Sequence, residues 1–294
     1  MGCVSCAGLV NEFSGAEDKA ENEAGDDIIL HLKEPTTIPI EAYSITPDLL
    51  LERDCSEIKK LPVFYGRRKV TVGDLFSVEG ERTDRVIVQG GLQHVKKIGQ
   101  GMSRGRIEVQ GDVGPHLGSC MRGGEIIVRG NAGDWAGANM EGGCVRINGN
   151  AGHHVGAAYP GDKKGVNRGV IIIEGNAGSE TGAAMRRGLI AVLGDAGDFA
   201  GAGMIAGSVL VFGHLGKRAG AGMKRGSIVA FGTYEPLLPT YRFESVFQPV
   251  YLRVLIKRLR EWGVSVASKI EEGLFRRYSG DINMLGKGEI LIHD

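Results

Sequence analysis

The chain has 294 residues, 48 of them glycine, and its 35 basic and 35 acidic side chains cancel to a formal charge of zero. No Gly-X-Y period runs through it, which excludes a collagen helix. No apolar stretch reaches the ~18 residues of a membrane span, and five cysteines at irregular spacing do not make a disulfide framework. With no apolar leader at the N-terminus, the expected location is cytoplasmic.

The first stretch, residues 1–27, holds seven acids (Glu12, Glu17, Asp18, Glu21, Glu23, Asp26, Asp27) against Lys19 alone. So polar a segment buries too little apolar surface to offset its ordering entropy, and it is expected to be a disordered acidic tail. Its Cys3-Val-Ser-Cys6 lacks a second cysteine pair, and Met1-Gly2 lacks Ser or Thr at position 6, so metal binding and myristoylation are both poorly supported. Residues 28–89 follow as a β-rich N-terminal cap region.

Between residues 90 and 232 lie 36 of the glycines, and they recur in register. One column is Gly90, Gly111, Gly130, Gly149, Gly175, Gly194, Gly213 and Gly232; a second, six residues earlier in each repeat, runs from Gly105 through Gly124, Gly143, Gly169, Gly188 and Gly207 to Gly226. Four and two places before the first-column glycines stand pairs such as Ile107/Val109, Val145/Ile147 and Ile190/Val192. Alternating β-branched residues make a half-buried strand, and the intervening Gly-Asn-Ala-Gly blocks make tight turns. The expected fold is mainly β: a right-handed single-stranded β-helix (β-solenoid) of about seven 19-residue rungs.

Six methionines (Met102, Met121, Met140, Met185, Met204, Met223) lie nine residues before a first-column glycine, which predicts an internal packing ladder. In the one irregular rung, Tyr159 is expected at the methionine position. A seven-residue insertion with Pro160, Lys163, Lys164 and Arg168 follows, and such insertions favour a binding face. This middle region carries 16 basic against 10 acidic residues, which suits an acidic ligand but is too weak for nucleic acid.

Outward strand positions turn apolar late in the repeats (Ala191/Leu193, Leu210/Phe212, Val229/Phe231) and need a cover. The C-terminal extension, 233–294, offers one, a partner subunit being the competing cover: Leu252, Leu255, Ile256, Leu259 and Trp262 share a face of a predicted amphipathic helix over 249–262, with Arg253, Lys257, Arg258 and Arg260 opposite. No catalytic motif accompanies these elements. Gly201-Ala-Gly203-Met-Ile-Ala206 mimics a dinucleotide fingerprint but opens no helix. His116 and His154 stand two rungs apart, about 9–10 Å, too far to share one zinc ion.

Blocks such as Gly130-Asn-Ala-Gly133-Asp-Trp-Ala-Gly137-Ala-Asn-Met140-Glu-Gly-Gly143 resemble the GXGXG β-helix family, which includes the C-terminal domain of glutamate synthase and the C subunit of formylmethanofuran dehydrogenase. Residues 28–110, from Ile28-Ile-Leu-His-Leu32 through Ile38-Pro-Ile-Glu41 to Ile98-Gly-Gln-Gly-Met102, look like the front of that C subunit, as does Tyr159-Pro-Gly-Asp162. Leu237-Leu-Pro-Thr-Tyr-Arg242 and the basic helix look like its bacterial relative, the C subunit of the formyltransferase/hydrolase complex.

The resemblance implies a structural subunit that itself carries no catalytic residues, metal or cofactor. Its implied partners are a formyltransferase subunit and an amidohydrolase-like subunit with zinc, which move formyl groups from tetrahydromethanopterin to a methanofuran-type carrier and release formate during formaldehyde oxidation. The implied alternative is a formylmethanofuran dehydrogenase with a molybdenum- or tungsten-containing, molybdopterin-type or degenerate dehydrogenase partner; a glutamate synthase-type module is a further one. Such carriers bear glutamyl chains, and the implied contacts of that acidic arm are Lys163, Lys164, Arg168, Arg186, Arg187, Lys224 and Arg225. Implied partner-interface residues are Tyr159, Pro160, Arg253, Lys257 and Arg260.

Overall fold

The computed structural model describes residues 27–294; the acidic tail with Cys3 and Cys6 lies outside the described residues, apart from Asp27. The molecule is mainly β. Its front part holds β1 (Ile28–Leu32), β2 (Ile40–Glu41), α1 (Pro47–Leu50), α2 (Cys55–Lys59), β3 (Pro62–Tyr65), β4 (Arg68–Thr71), α3 (Val72–Leu75) and β5 (Phe76–Glu79). The repeats supply β6 (Arg85–Gln89), β7 (Val95–Lys96), β8 (Arg106–Gln110), β9 (Glu125–Val128), β10 (Cys144–Ile147), β11 (Val170–Ile173), β12 (Leu189–Val192), β13 (Ser208–Val211) and β14 (Arg225–Ala230). After them come β15 (Arg242–Phe247), α4 (Leu252–Glu261), β16 (Phe275–Gly280) and β17 (Lys287–His293). No described helix is long and apolar enough to cross a membrane.

Among the described residues β1, β6, β8 to β14 and β17 lie side by side in one 13-stranded sheet, with β5 closing one end and β15 and β16 the other. β6 pairs in parallel with β8, and from β8 to β14 each strand pairs in parallel with the next, so Val86, Ile107, Ile126, Val145, Ile171, Ile190, Val209 and Ile228 form one line. A second line of parallel bridges joins Leu92, Val113, Ala132, Ala151, Ala177, Ala196, Leu215 and Tyr234. The β-branched pairs face inward and are buried together with all six ladder methionines.

The turns explain two glycine columns. Gly143 has φ +82°, and a Cβ there would stand 2.6 Å from the Met121 ε-methyl and 2.7 Å from the Gly124 carbonyl oxygen. A Cβ on Gly149 would stand 2.5 Å from Oδ1 of Asn131, which accepts the backbone N–H of Asn150 at 2.8 Å. That contact repeats up the stack: Asp112, Asn131, Asn150, Asn176 and Asp195 each accept a backbone N–H from the following repeat. Each bond nets about 1 kcal/mol, and together they hold neighbouring turns in one register.

The irregular repeat departs from expectation. Val166, not Tyr159, occupies the methionine line: Val166 is fully buried, and its Cγ1 approaches the Gly188 Cβ position at 3.1 Å, where Met185 serves Gly207 and Met140 serves Gly169. The insertion therefore lies between Tyr159 and Val166, and the register counts back from Gly175, not forward from Gly156. Tyr159 is turned outward onto an aromatic column, 5.2 Å from Trp135 and 5.6 Å from His116 by ring centroids, with its hydroxyl 2.8 Å from His116 Nδ1. Trp135 also stacks on His154 at 4.2 Å.

Helix α4 covers the apolar outer face as expected, although it starts at Leu252, three residues after Pro249, and ends at Glu261. Leu252, Ile256 and Leu259 are buried against Cys144, Ile172, Ala191, Leu210, Phe212, Val229 and Phe231, so the covered face already begins at β10 and β11. Gly263, at φ +77°, closes the helix: its N–H reaches the Arg260 carbonyl at 2.9 Å and that of Val264 the Leu259 carbonyl at 3.0 Å. Arg146 of β10 then donates to the Trp262 carbonyl at 2.9 Å while pairing with Glu174 at 2.6 Å, which pins the helix end to the sheet.

Beneath the helix, burial pushes the Cys144 thiol up to about 12 from its ordinary 9.0, Glu125 adding to the effect while Arg146 and Arg258 oppose it. The thiolate is therefore favoured only on unfolding, so Cys144 adds stability below pH 9 that is lost as pH rises toward 12. We expect iodoacetamide at pH 8 to leave Cys144 unmodified in the native chain and to alkylate it in urea, as read by peptide mass spectrometry. Rapid native labelling would refute the buried position.

Candidate functional site

The turn before each strand ends on a second-column glycine, and the two residues ahead of it face outward at the strand's N-terminal corner. The parallel register stacks these corners about 4.8 Å apart. Arg168, Arg187 and Arg225 thus fall in one line, interrupted by Ala206, with Arg186 and Lys224 in the line beside it. None of these five cations pairs with an acid among the described residues.

Two adjoining cavities open on this edge. One of about 280 Å³ is lined by Arg186, Arg187, Ile205, Ala206, Lys224, Arg225 and Leu285. The other, about 430 Å³, is lined by Arg168, Gly169, Arg187, Gly188, Leu189, Leu255 and Arg258. Arg187 belongs to both. Like charges on neighbouring strands repel, and a carboxylate-bearing ligand relieves that repulsion while accepting charge-assisted hydrogen bonds from guanidinium groups.

The structure therefore brings together five of the seven sequence-derived cations and adds Arg258. Arg258 was legible as part of a basic helix face, but its place beside Arg168 and Arg187 depends on how α4 docks. Lys163 and Lys164 stand exposed in the insertion, outside both cavities. Pro160 is exposed there too, while Tyr159 is half-buried in the aromatic column. On α4, Arg253 and Lys257 are exposed, and Lys257 lines a groove of about 530 Å³ with Val254, Arg258, Glu261 and Trp262. Arg260 is engaged within the chain: it pairs with Glu271 and donates to the Val266 carbonyl at 2.9 Å.

The aromatic column has a different character. Burial, reinforced by Lys97 and Lys96, holds the His116 imidazole below its ordinary range, so the ring is neutral at pH 7 against Tyr159. Burial likewise raises the Tyr159 phenol. Trp135 is the member of the column that sequence reasoning misses, although it stands five residues after Gly130 as His116 and His154 stand five after Gly111 and Gly149. Among the described residues no three His, Cys, Asp or Glu side chains converge to hold a metal ion.

No family model matches the chain. It is 38% identical over 98 residues to the C subunit of the tungsten-containing formylmethanofuran dehydrogenase 2 of Methanothermobacter marburgensis, a match covering 32% of this chain and 36% of that protein. It is 43% identical over 92 residues to the C subunit of the molybdenum-containing formylmethanofuran dehydrogenase 1 of Methanothermobacter thermautotrophicus, covering 31% and 23%. The matched segment thus spans about a third or less of these curated relatives. Much fuller is the likeness to a chain in the crystal structure of the formyltransferase/hydrolase complex (FhcABCD) of Methylorubrum extorquens with methylofuran: TM-score 0.84, 38% identity, 90% of this chain and 98% of that one. With a near-complete overlay at 38% identity and C-subunit relatives at 38–43% identity, the chain belongs to the C-subunit family shared by formylmethanofuran dehydrogenases and the formyltransferase/hydrolase complex.

Proposed function

We propose that this chain is the structural C subunit of a formyltransferase/hydrolase complex in methanofuran-linked one-carbon metabolism. The observation that carries this reading is the overlay on 98% of a chain from such a complex, solved with methylofuran bound. In this reading the repeats form a right-handed single-stranded β-solenoid of about seven rungs, supported by the two parallel bridge lines. Residues 28–89 cap one end, 90–232 form the rod and 233–294 carry the covering helix. The complex is cytoplasmic, and neither nucleic acid nor membrane is a partner.

The chain's part is to hold a formyltransferase subunit and an amidohydrolase-like, zinc-bearing subunit in fixed relation. Arg253, Lys257, Tyr159 and Pro160 are offered to those partners, Arg260 contributing through the position of α4. The cationic edge of Arg168, Arg186, Arg187, Lys224 and Arg225 receives the glutamyl arm of a methanofuran-type carrier, with Lys163 and Lys164 at its approach. The four permanently charged arginines suit this task, since they hold carboxylates without taking part in proton transfer.

A second reading places the chain in a formylmethanofuran dehydrogenase with a molybdenum- or tungsten-containing partner, favoured by the 38–43% identity to the C subunits of such enzymes. Affinity purification of the tagged full chain from its own cells separates the two. An amidohydrolase-like and a formyltransferase partner are the expected result; a metal-pterin subunit would move the assignment to the dehydrogenase. Formate release from a formylated carrier by the isolated chain would sink the structural-subunit reading.

A further inference from the structure

Apart from Tyr159, the aromatic column has no part in the function described so far, and its backbone is unusual. Lys97, His116, Trp135 and His154 all lie in the left-handed region, at φ 60–65°, where glycine would fit without steric cost. The first three each donate the backbone N–H to the carbonyl just before the next one, at 2.8–3.1 Å, so the four stand in line on successive turns. A turn that holds a ring as bulky as Trp135 in this conformation holds it for what the side chain does. Stacking accounts for one side of the rings: Trp135 lies 4.2 Å from His154 and 5.2 Å from Tyr159 by centroids. All of them are only half-buried, so their outer edges stay open to solvent.

The column continues into the small sheet formed by β4, β3, β2 and β7. Val63, Ile40 and Val95 of that sheet are buried, so the residues alternating with them face outward. Strand pairing sets Lys69, Phe64, Glu41 and Lys96 side by side in one row across the four strands. Tyr43 leans on Phe64 at 6.0 Å between ring centroids. Lys97 joins row to column: its ammonium pairs with Glu41 at 2.8 Å, and its backbone opens the line that leads to Trp135. One face thus runs from Lys69 to His154. Its acids are engaged within the chain, Glu41 by Lys97, Asp134 through the His153 N–H at 2.7 Å and Glu180 beside His154 at 3.4 Å. Lys69 and Lys96 have no ion pair among the described residues. None of the cavities along α4 and the cationic edge is lined by these residues. A broad centre of rings with free lysines at its border is the make-up of a protein interface, and the carboxylates of Glu41, Asp134 and Glu180 would repel a phosphate backbone.

We propose that this face docks one partner subunit whose own surface sets carboxylates around an apolar centre. Trp135, Tyr159 and Phe64 meet the apolar centre, and Lys69 and Lys96 meet the carboxylates. The proposal rests on the reading of this chain as a structural subunit and adds the face and the chemistry of one contact. Central aromatic side chains carry much of the binding energy of an interface, while charges at its border steer association. Trp135 is therefore expected to govern how long the partner stays, and the two lysines how fast it arrives.

The test uses the complex purified on the tagged full chain. Carbodiimide, which joins carboxylates to amines in direct contact, should link Lys69 or Lys96 to an Asp or Glu of one co-purified subunit. Trp135→Ala should speed dissociation of that same subunit about 10–100-fold. Lys69→Glu with Lys96→Glu should slow its association about 3–10-fold at low salt, and the gap should close near 0.5 M salt, where screening is short-ranged. Both lysines face outward from the sheet, so the double variant decides alone should Trp135→Ala fail to fold. Unchanged rates in both variants, or crosslinks to partner subunits that never involve Lys69 or Lys96, overturn the docking face while leaving the structural-subunit reading standing. If no subunit co-purifies with the unaltered chain, that reading falls and the docking face falls with it.

Discussion

Gly143→Ala should lower the stability of the chain by about 2–4 kcal/mol, whereas Gly101→Ala should cost about 1 kcal/mol. Both glycines have positive φ, +82° and +70°, so each alanine bears a similar conformational penalty. The difference is what the new methyl meets. At Gly101 nothing lies within 4 Å. At Gly143 it would stand 2.6 Å from the Met121 ε-methyl, 2.7 Å from the Gly124 oxygen and 2.9 Å from the Gly123 carbonyl carbon. A methionine tip can swing away, but two backbone atoms of the preceding turn move only if β9 and β10 separate. In a chain of this size each kcal/mol is worth about 2–4 °C, so thermal melting should show a drop of about 4–16 °C for Gly143→Ala and only about 2–4 °C for Gly101→Ala. Equal shifts would mean that conformational strain alone, without close packing between turns, explains the glycine columns.

The glycine columns also show why so much of this fold was legible. A repeat writes its register many times, and Ile107/Val109 or Val145/Ile147 need only be aligned with their copies for the parallel pairing to follow. Legibility failed where the copies differ. In the irregular repeat, Tyr159 keeps the spacing from Gly156 and Val166 keeps the spacing from Gly175; core volume decides between them, since a fully buried line admits valine more readily than a phenol seeking a hydrogen-bond partner. At the far end, Gly288 with Ile290 and Ile292 repeats the spacing of Gly226 with Ile228 and Ala230, and β17 pairs with β14 on that register. The signal was present, but 62 residues separate the two glycines and hide it from a search at the repeat length. The candidate site had a different limit. Single cations such as Arg168 and Arg187 are visible in the sequence, but their convergence with Arg258 requires α4 to lie across β10 to β14, and the capping of Trp262 by Arg146 is a contact 116 residues apart.

Charge reversal on the cationic edge provides the sharpest functional test. The triple variant Arg168→Glu, Arg187→Glu, Arg225→Glu should bind poly-L-glutamate about 10–100-fold more weakly than the unaltered chain at low salt. Each of these side chains is exposed, so each contact with a carboxylate is worth about 0.5–1 kcal/mol, not the larger value of a buried pair, and repulsion from the new acids adds to the loss. The effect should shrink as salt rises, because the Debye length falls from about 10 Å at 0.1 M to about 3 Å at 1 M. Lys163→Glu with Lys164→Glu makes about two thirds of that charge change but stands outside both cavities, so its loss should stay below about 5-fold. Folding should be unaffected, since none of the three arginines pairs with an acid among the described residues, and an unchanged melting temperature would show it. Fluorescence anisotropy of labelled poly-L-glutamate reads all of these affinities. If the two variants weaken binding equally, affinity follows net charge alone and the edge is no site. If the triple variant alone loses binding, the corner formed by β11, β12, β14 and α4 is where the acidic ligand sits.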